Sequence, residues 1–204
     1  MTNEYYINVK NLNFDYLKGT RYQKVFDTLN DAKKLYDVDK DSCCTKLRYA
    51  LEIIINEVIT ICKFQNVKKN NLNTNLRLLR DKLPASLRQY NGEDILTEMH
   101  NVRINGNRST HYDDKNDVDI DKATHTCWIA MKKICKWVST FESKYEEYKE
   151  KLIREAEEEA AKAKAKKAER NKKIKTTLKT VGKAVAVVAT IAIAVLTGKR
   201  INKF

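Results

Sequence analysis

The sequence predicts an all-α protein: a helical bundle over residues 1–140, a long charged helix, and a short apolar C-terminal helix. Three observations carry that prediction. One Pro and five Gly in 204 residues disfavour a fold built on many tight turns. Apolar residues recur at three- and four-residue steps in one stretch after another. Residues 142–176 are rich in Ala, Glu and Lys, which are strong helix formers.

Residues 1–18 are polar and aromatic, with Tyr5, Tyr6 and Ile7 marking a short strand or a docked arm. A helix is expected over 20–36, where Tyr22, Phe26, Leu29, Ala32 and Tyr36 share a face. The charged loop 37–42 ends in a helix cap, Asp41 or Ser42. The helix over 43–64 is the most apolar of the N-terminal part. Its wide stripe of Leu47, Leu51, Ile54, Ile55, Val58, Ile61 and Cys62 makes it the central core helix.

A shorter helix over 72–82 must stop before Pro84, because the residue ahead of Pro avoids helical angles. Asn91-Gly92 reads as a turn. Another helix, 93–110, carries Ile95, Leu96, Met99, Val102 and Ile104. The acidic loop 113–121 lacks the Gly and closing Glu of a calcium loop, so it reads as a solvated loop and cap. The last bundle helix starts near 121 and packs through Trp128, Ile129, Met131, Ile134, Cys135, Trp137, Val138 and Phe141.

Past Phe141 the apolar stripe fades. A helix polar all round is a solvent-exposed spacer, supported by i,i+4 Glu–Lys pairs. Of the net charge of +13, nearly all resides in residues 160–204, where 13 cations face Glu169 alone. Lys164, Lys166, Lys167, Arg170, Lys172, Lys173 and Lys175 would seek polyanions, either nucleic acid or anionic lipid heads. No aromatic residue is interleaved among them for base stacking, so an anionic membrane is the simpler partner.

The final segment, 184–198, holds no charge. Val185, Val187, Val188, Ile191, Ile193, Val195 and Leu196 give it a membrane-associated character. As a helix it reaches ~22 Å, short of the ~30 Å hydrocarbon core unless flanking lysines snorkel. A buried or coiled-coil helix, or an aggregation-prone strand, remains an alternative. If it spans, the ten cations of 162–183 keep the N-terminal side in the cytoplasm. Alanines at 184, 186, 189, 192 and 194 would allow close helix packing and hence homo-oligomers or a pore.

Five cysteines, an odd number with no Cys-x-x-Cys pair, point to a reducing compartment and against structural zinc. The first residues lack the basic-then-apolar pattern of a signal peptide. No phosphate loop, dinucleotide fingerprint or nucleophile elbow is present, and no cofactor or metal site is expected.

The richest polar cluster is MHNVRINGNRSTH, residues 99–111. Arg103, Asn107 and His111 stand at i, i+4 and i+8, within about 80° on one helical face. Arg clamps phosphate oxygens with its planar fork, and His moves a proton near neutral pH. The same residues can instead satisfy buried backbone groups or a partner such as Glu52.

Residues 47–59, LRYALEIIINEVI, followed after a helical hairpin by VRINGNRSTH, resemble the DUF4145 family. Arg48, Leu51 and Glu52 match its Arg-x-x-Leu-Glu helix, and Arg103, Gly106, Asn107 and His111 its Arg-x-x-Gly-Asn-x-x-x-His motif. The likeness covers residues 20–140. It implies a helical bundle similar to the HEPN superfamily, found in bacterial antiviral, restriction and toxin systems. It also implies either of two roles for the motif. In a metal-independent endoribonuclease, His111 would be the acid/base, Arg103 or Arg108 the phosphate clamp, and Asn107 the orienting residue. In a non-catalytic clasp, Arg48 and Glu52 would lock with Asn107 and His111. Neither Arg103 nor Arg108 stands at the nuclease spacing from His111, which weighs toward the clasp. The resulting expectation is a membrane-associated effector or accessory protein of a defence or toxin system. It would sit at the inner membrane with a cytoplasmic bundle binding RNA or protein and forming homo-oligomers. The alternatives are a tethered ribonuclease or a soluble nucleic-acid binder.

Overall fold

The computed structural model describes residues 7–64, 71–108 and 119–201, with side chains to residue 182 except Arg108, and those of Val185, Ala186 and Val188 beyond it. It divides into two compact units, residues 1–148 and 149–204.

The first unit is a helical bundle. Its helices are α1 (Gln23–Leu35), α2 (Lys40–Ile61), α3 (Leu72–Lys82), α4 (Ala85–Arg88), α5 (Ile95–Arg108), α6 (Ile120–Ser139) and the first turns of α7 (Phe141–Ile201). A hairpin of β1 (Gln89–Tyr90) and β2 (Glu93–Asp94) precedes α5. Its turn is Asn91-Gly92, both at positive φ, the geometry that short hairpins need.

Helix α2 is the hub. Cys43, Cys44, Leu47, Ala50, Leu51, Ile54, Ile55 and Val58 are fully buried, and α1, α3, α5 and α6 all pack against it. Its cap is Asp39, not Asp41 or Ser42: the carboxylate accepts from the Ser42 amide at 3.0 Å and the Ser42 hydroxyl at 2.6 Å. The helix therefore starts three residues before the expected position. Asn71 caps α3 and Asp119 caps α6 in the same way, at 2.9 and 3.0 Å.

Helix α6 faces α2 and α5 with Cys127, Trp128, Met131, Ile134, Cys135 and Trp137, all fully buried. The Trp137 indole donates to the Leu87 carbonyl at 2.8 Å, which ties α4 to the core. Lys133 ties β2 and α5 to α6 through Glu93 at 2.8 Å and Glu98 at 2.6 Å. Lys40 pairs with Asp121, joining the starts of α2 and α6.

The N-terminal segment is a docked arm from Ile7 onward. The Ile7 amide donates to His125 Nε2 at 3.2 Å, and Val9, Phe14 and Leu17 are buried. Tyr5 and Tyr6 lie outside the described residues. Phe141 is buried against Trp137 with ring centroids 4.9 Å apart, and Tyr145 stacks on Phe141 at 5.9 Å.

The second unit is the remainder of α7. The expected long charged helix and short apolar helix follow one another in a single helix, which runs unbroken to Ile201. Alanine-rich sequence with no Pro gives the backbone no reason to stop at 184. The exposed pairs Lys151–Glu155, Glu158–Lys162 and Glu169–Lys173, at 3.7, 3.9 and 2.8 Å, have the i,i+4 spacing that supports an exposed helix.

Candidate functional site

The two polar motifs meet where α5 crosses α2. Gly106 makes the crossing close. A Cβ placed there would lie 2.8 Å from Arg48 Cβ, 3.3 Å from Arg48 Cδ and 3.3 Å from the Cys44 carbonyl oxygen. Gly106 is helical, so the position demands a missing side chain, not an unusual backbone angle. The Arg48 stem lies over Gly106, and its guanidinium reaches Glu52 one turn on, Nη2 to Oε1 at 3.3 Å. Both side chains are about one-third exposed (30% and 33%). Arg48 Nε is buried and finds no hydrogen-bond partner among the described residues.

Beneath this crossing α6 closes the junction. Cys44 Sγ lies 3.2 Å from Thr124 Oγ1, and that hydroxyl also donates to the Ile120 carbonyl at 2.6 Å. Burial pushes the neighbouring Cys43 thiol up to about 12, so it stays protonated at neutral pH. The five cysteines are reduced and buried, and they pack as small apolar residues.

Arg103 and Asn107 are half-buried on α5. Arg103 Nε is buried with no hydrogen-bond partner among the described residues. His111 and the Arg108 side chain lie outside the described residues, so the expected triad with His111 has its first two members placed and the clasp its Arg48, Glu52 and Asn107.

The other histidine of the 99–111 cluster falls within the described residues. His100 lies one turn before Arg103, and its pKa is lowered by burial and then by the positive charges of Arg103 and Arg80. The ring is neutral at pH 7, and two cationic groups flank it. The signal in the sequence was the i,i+3 spacing of His100 and Arg103; Arg80 on α3 arrives only through the fold, since α3 packs on α5.

In the second unit the cations Lys164, Lys166, Lys167, Arg170, Lys172, Lys173 and Lys175 are all exposed. So are large apolar side chains: Ile174 at 48%, Leu178 at 66%, Val181 at 53%, Val185 at 63% and Val188 at 66%. Ile174 and Leu178 were missed in the sequence, where lysines crowd them. Side chains of Val187, Ile191, Ile193, Val195 and Leu196 lie outside the described residues. Among the described residues no helix is long and apolar enough to cross a membrane. The expected membrane segment, 184–198, lies outside the residues with described side chains apart from Val185, Ala186 and Val188. Among the described residues, no group of three or more His, Cys, Asp or Glu could hold a metal ion.

A family model, DUF4145, described as a domain of unknown function, matches residues 30–151. No curated protein matches the chain. No solved structure matches it either.

Proposed function

The chain belongs to the DUF4145 family, and on that premise we propose that it is a membrane-associated effector or accessory protein of a bacterial antiviral or toxin-type system. In this reading the bundle is HEPN-like, cytoplasmic and oligomeric, and binds RNA or a protein partner. The tail holds the protein at the inner membrane or perturbs it. The setting in defence rests on the family resemblance alone.

One observation carries the membrane half: exposed Val185 and Val188 follow directly on a run of exposed cations in which no carboxylate appears beyond Glu169. Water is a poor solvent for the first group and anionic headgroups are a good one for the second. The Arg48 stem over Gly106, with its guanidinium on Glu52, supports a clasp, since it gives these family residues a packing role that needs no substrate.

Cell fractionation of the full chain and of a chain lacking 184–198 tests the reading. The full chain is expected with the membranes and the truncated chain, still helical, in the soluble fraction. Equal distribution of both would reject it.

A second reading, a tethered metal-independent ribonuclease, draws on His100 held neutral beside Arg80 and Arg103. A neutral imidazole next to cationic groups suits proton abstraction near a phosphodiester. RNA cleavage that disappears in folded His100→Ala, Arg103→Ala or His111→Ala variants would establish it.

A further inference from the structure

The apolar side chains left exposed on α7 are not scattered. Ile174, Leu178, Val181, Val185 and Val188 step by four, three, four and three residues. At about 100° per residue they fall within roughly 80° of one another, a single stripe about 21 Å long. Lys172, Lys175 and Lys179 are exposed on the other half of the helix, roughly 100–160° from Ile174. The stripe begins ten residues before the uncharged segment 184–198, inside the part that reads from composition as a polar spacer.

We propose that the Ile174–Val188 stripe is a docking face for an anionic membrane surface, on which this part of α7 lies in the plane of the headgroups. The proposal rests on the membrane reading above and specifies how the contact is made. Two occupants fit an apolar stripe with 3,4 spacing: a second copy of the chain, in a two-helix seam, or a lipid surface. Charge decides between them. In a parallel seam a second copy would bring another ten cations of 162–183 alongside the first ten; in an antiparallel seam Lys179 and Lys183 of each copy would still meet those of the other, and no Asp or Glu lies beyond Glu169 to neutralise them. At physiological salt such charges repel over ~8 Å. An anionic bilayer supplies an apolar floor for the stripe and negative charge for the lysines together. Lying flat also leaves Lys175 and Lys179 in water at the interface, whereas a perpendicular insertion of this stretch would bury them in hydrocarbon.

The consequence is a contact that depends on lipid charge and ionic strength, with 174–181 contributing as directly as the uncharged segment. The test uses full-length protein with vesicles of phosphatidylcholine alone or mixed with phosphatidylglycerol. Ile174→Gln, Leu178→Gln and Val181→Gln are combined in one variant, because Gln keeps helix propensity while removing the apolar surface. Separately, Ile174→Cys, Val181→Cys and Val188→Cys carry an environment-sensitive label read by depth-dependent quenchers; the five native thiols are buried.

Binding to the anionic vesicles, weakened at least about 100-fold in the triple-Gln variant, is expected. The three labels should report the same shallow depth. A triple-Gln variant that binds as tightly as the parent, or labels that deepen steadily from 174 to 188, would overturn the in-plane face while leaving membrane association standing. Failure of the full chain to bind either vesicle would overturn both readings. A dimer in buffer that shields all three labels would replace the lipid with a second copy.

Discussion

Gly106 shows how one residue sets the spacing of two helices. Replacing it with Ala gains helix propensity of about 1 kcal/mol, but sets a Cβ 2.8 Å from Arg48 Cβ. Arg48 Cβ is bound to the backbone and cannot swing aside, so α2 and α5 must separate. Gly106→Ala is expected to destabilise the bundle by a net ~1–2 kcal/mol in chemical denaturation. Gly182→Ala provides the contrast: nothing lies within 4 Å of its added Cβ, so the helix gains up to ~1 kcal/mol there with no clash. Equal effects at both glycines would refute the close crossing. His100 gives a pH prediction. Its folded pKa is below the ordinary value of 6.5, so the unfolded chain binds the proton more readily. Stability from this group is complete above 6.5 and falls as the pH drops through the lower folded value. His100→Gln should flatten that part of the pH–stability curve while leaving the neutral-pH end unchanged. The residue-level site was legible only in part: Arg48, Glu52, Arg103 and Asn107 stand out as polar residues on apolar helices, whereas the approach of Arg80 to His100 needed α3 to be placed.

At the scale of elements, the long periodic segments were legible and the short ones were not. Helix α3 occupies Leu72–Lys82, the expected span, and stops ahead of Pro84. Helix α2 begins early because Asp39, rather than the expected Asp41 or Ser42, reaches the Ser42 amide. Helix α4 and the two-residue strands carry too few residues to display a period. They are held by tertiary contacts, chiefly Trp137 Nε1 on the Leu87 carbonyl and Arg88 Nη2 at 3.5 Å from Asp94. Trp137→Phe keeps the ring and removes the donor, leaving that carbonyl unsatisfied in a buried place. The expected cost is about 1–3 kcal/mol, with faster amide exchange confined first to 83–94. Uniform loss of protection across the bundle would argue against α4 being held by this bond. The stripe on α7 was legible in its 3,4 spacing, but the lysines between its members gave the segment the composition of a solvated spacer.

At the scale of the molecule, the two compact units follow opposite solvation rules. The bundle hides most of its large apolar residues, Leu47 and Trp137 among them, and the second unit displays them beside lysines. A basic, apolar-striped helix that lies on lipid by charge and burial together must lose its grip as salt screens the lysines. Replacing Lys172, Lys175 and Lys179 with Gln one at a time is expected to weaken binding to anionic vesicles roughly fivefold per lysine at low salt. The same series should show little effect on neutral vesicles. Equal losses on both lipids would mean that the lysines act through the fold of the helix and not through the charge of the bilayer.

The most direct measurement is co-sedimentation of the full chain with phosphatidylglycerol-containing vesicles across a salt series, alongside phosphatidylcholine vesicles. The account predicts pelleting with the anionic vesicles, release as salt rises, and weak pelleting with the neutral ones. A chain that stays in the supernatant with both lipids at low salt, monodisperse without detergent, would contradict it.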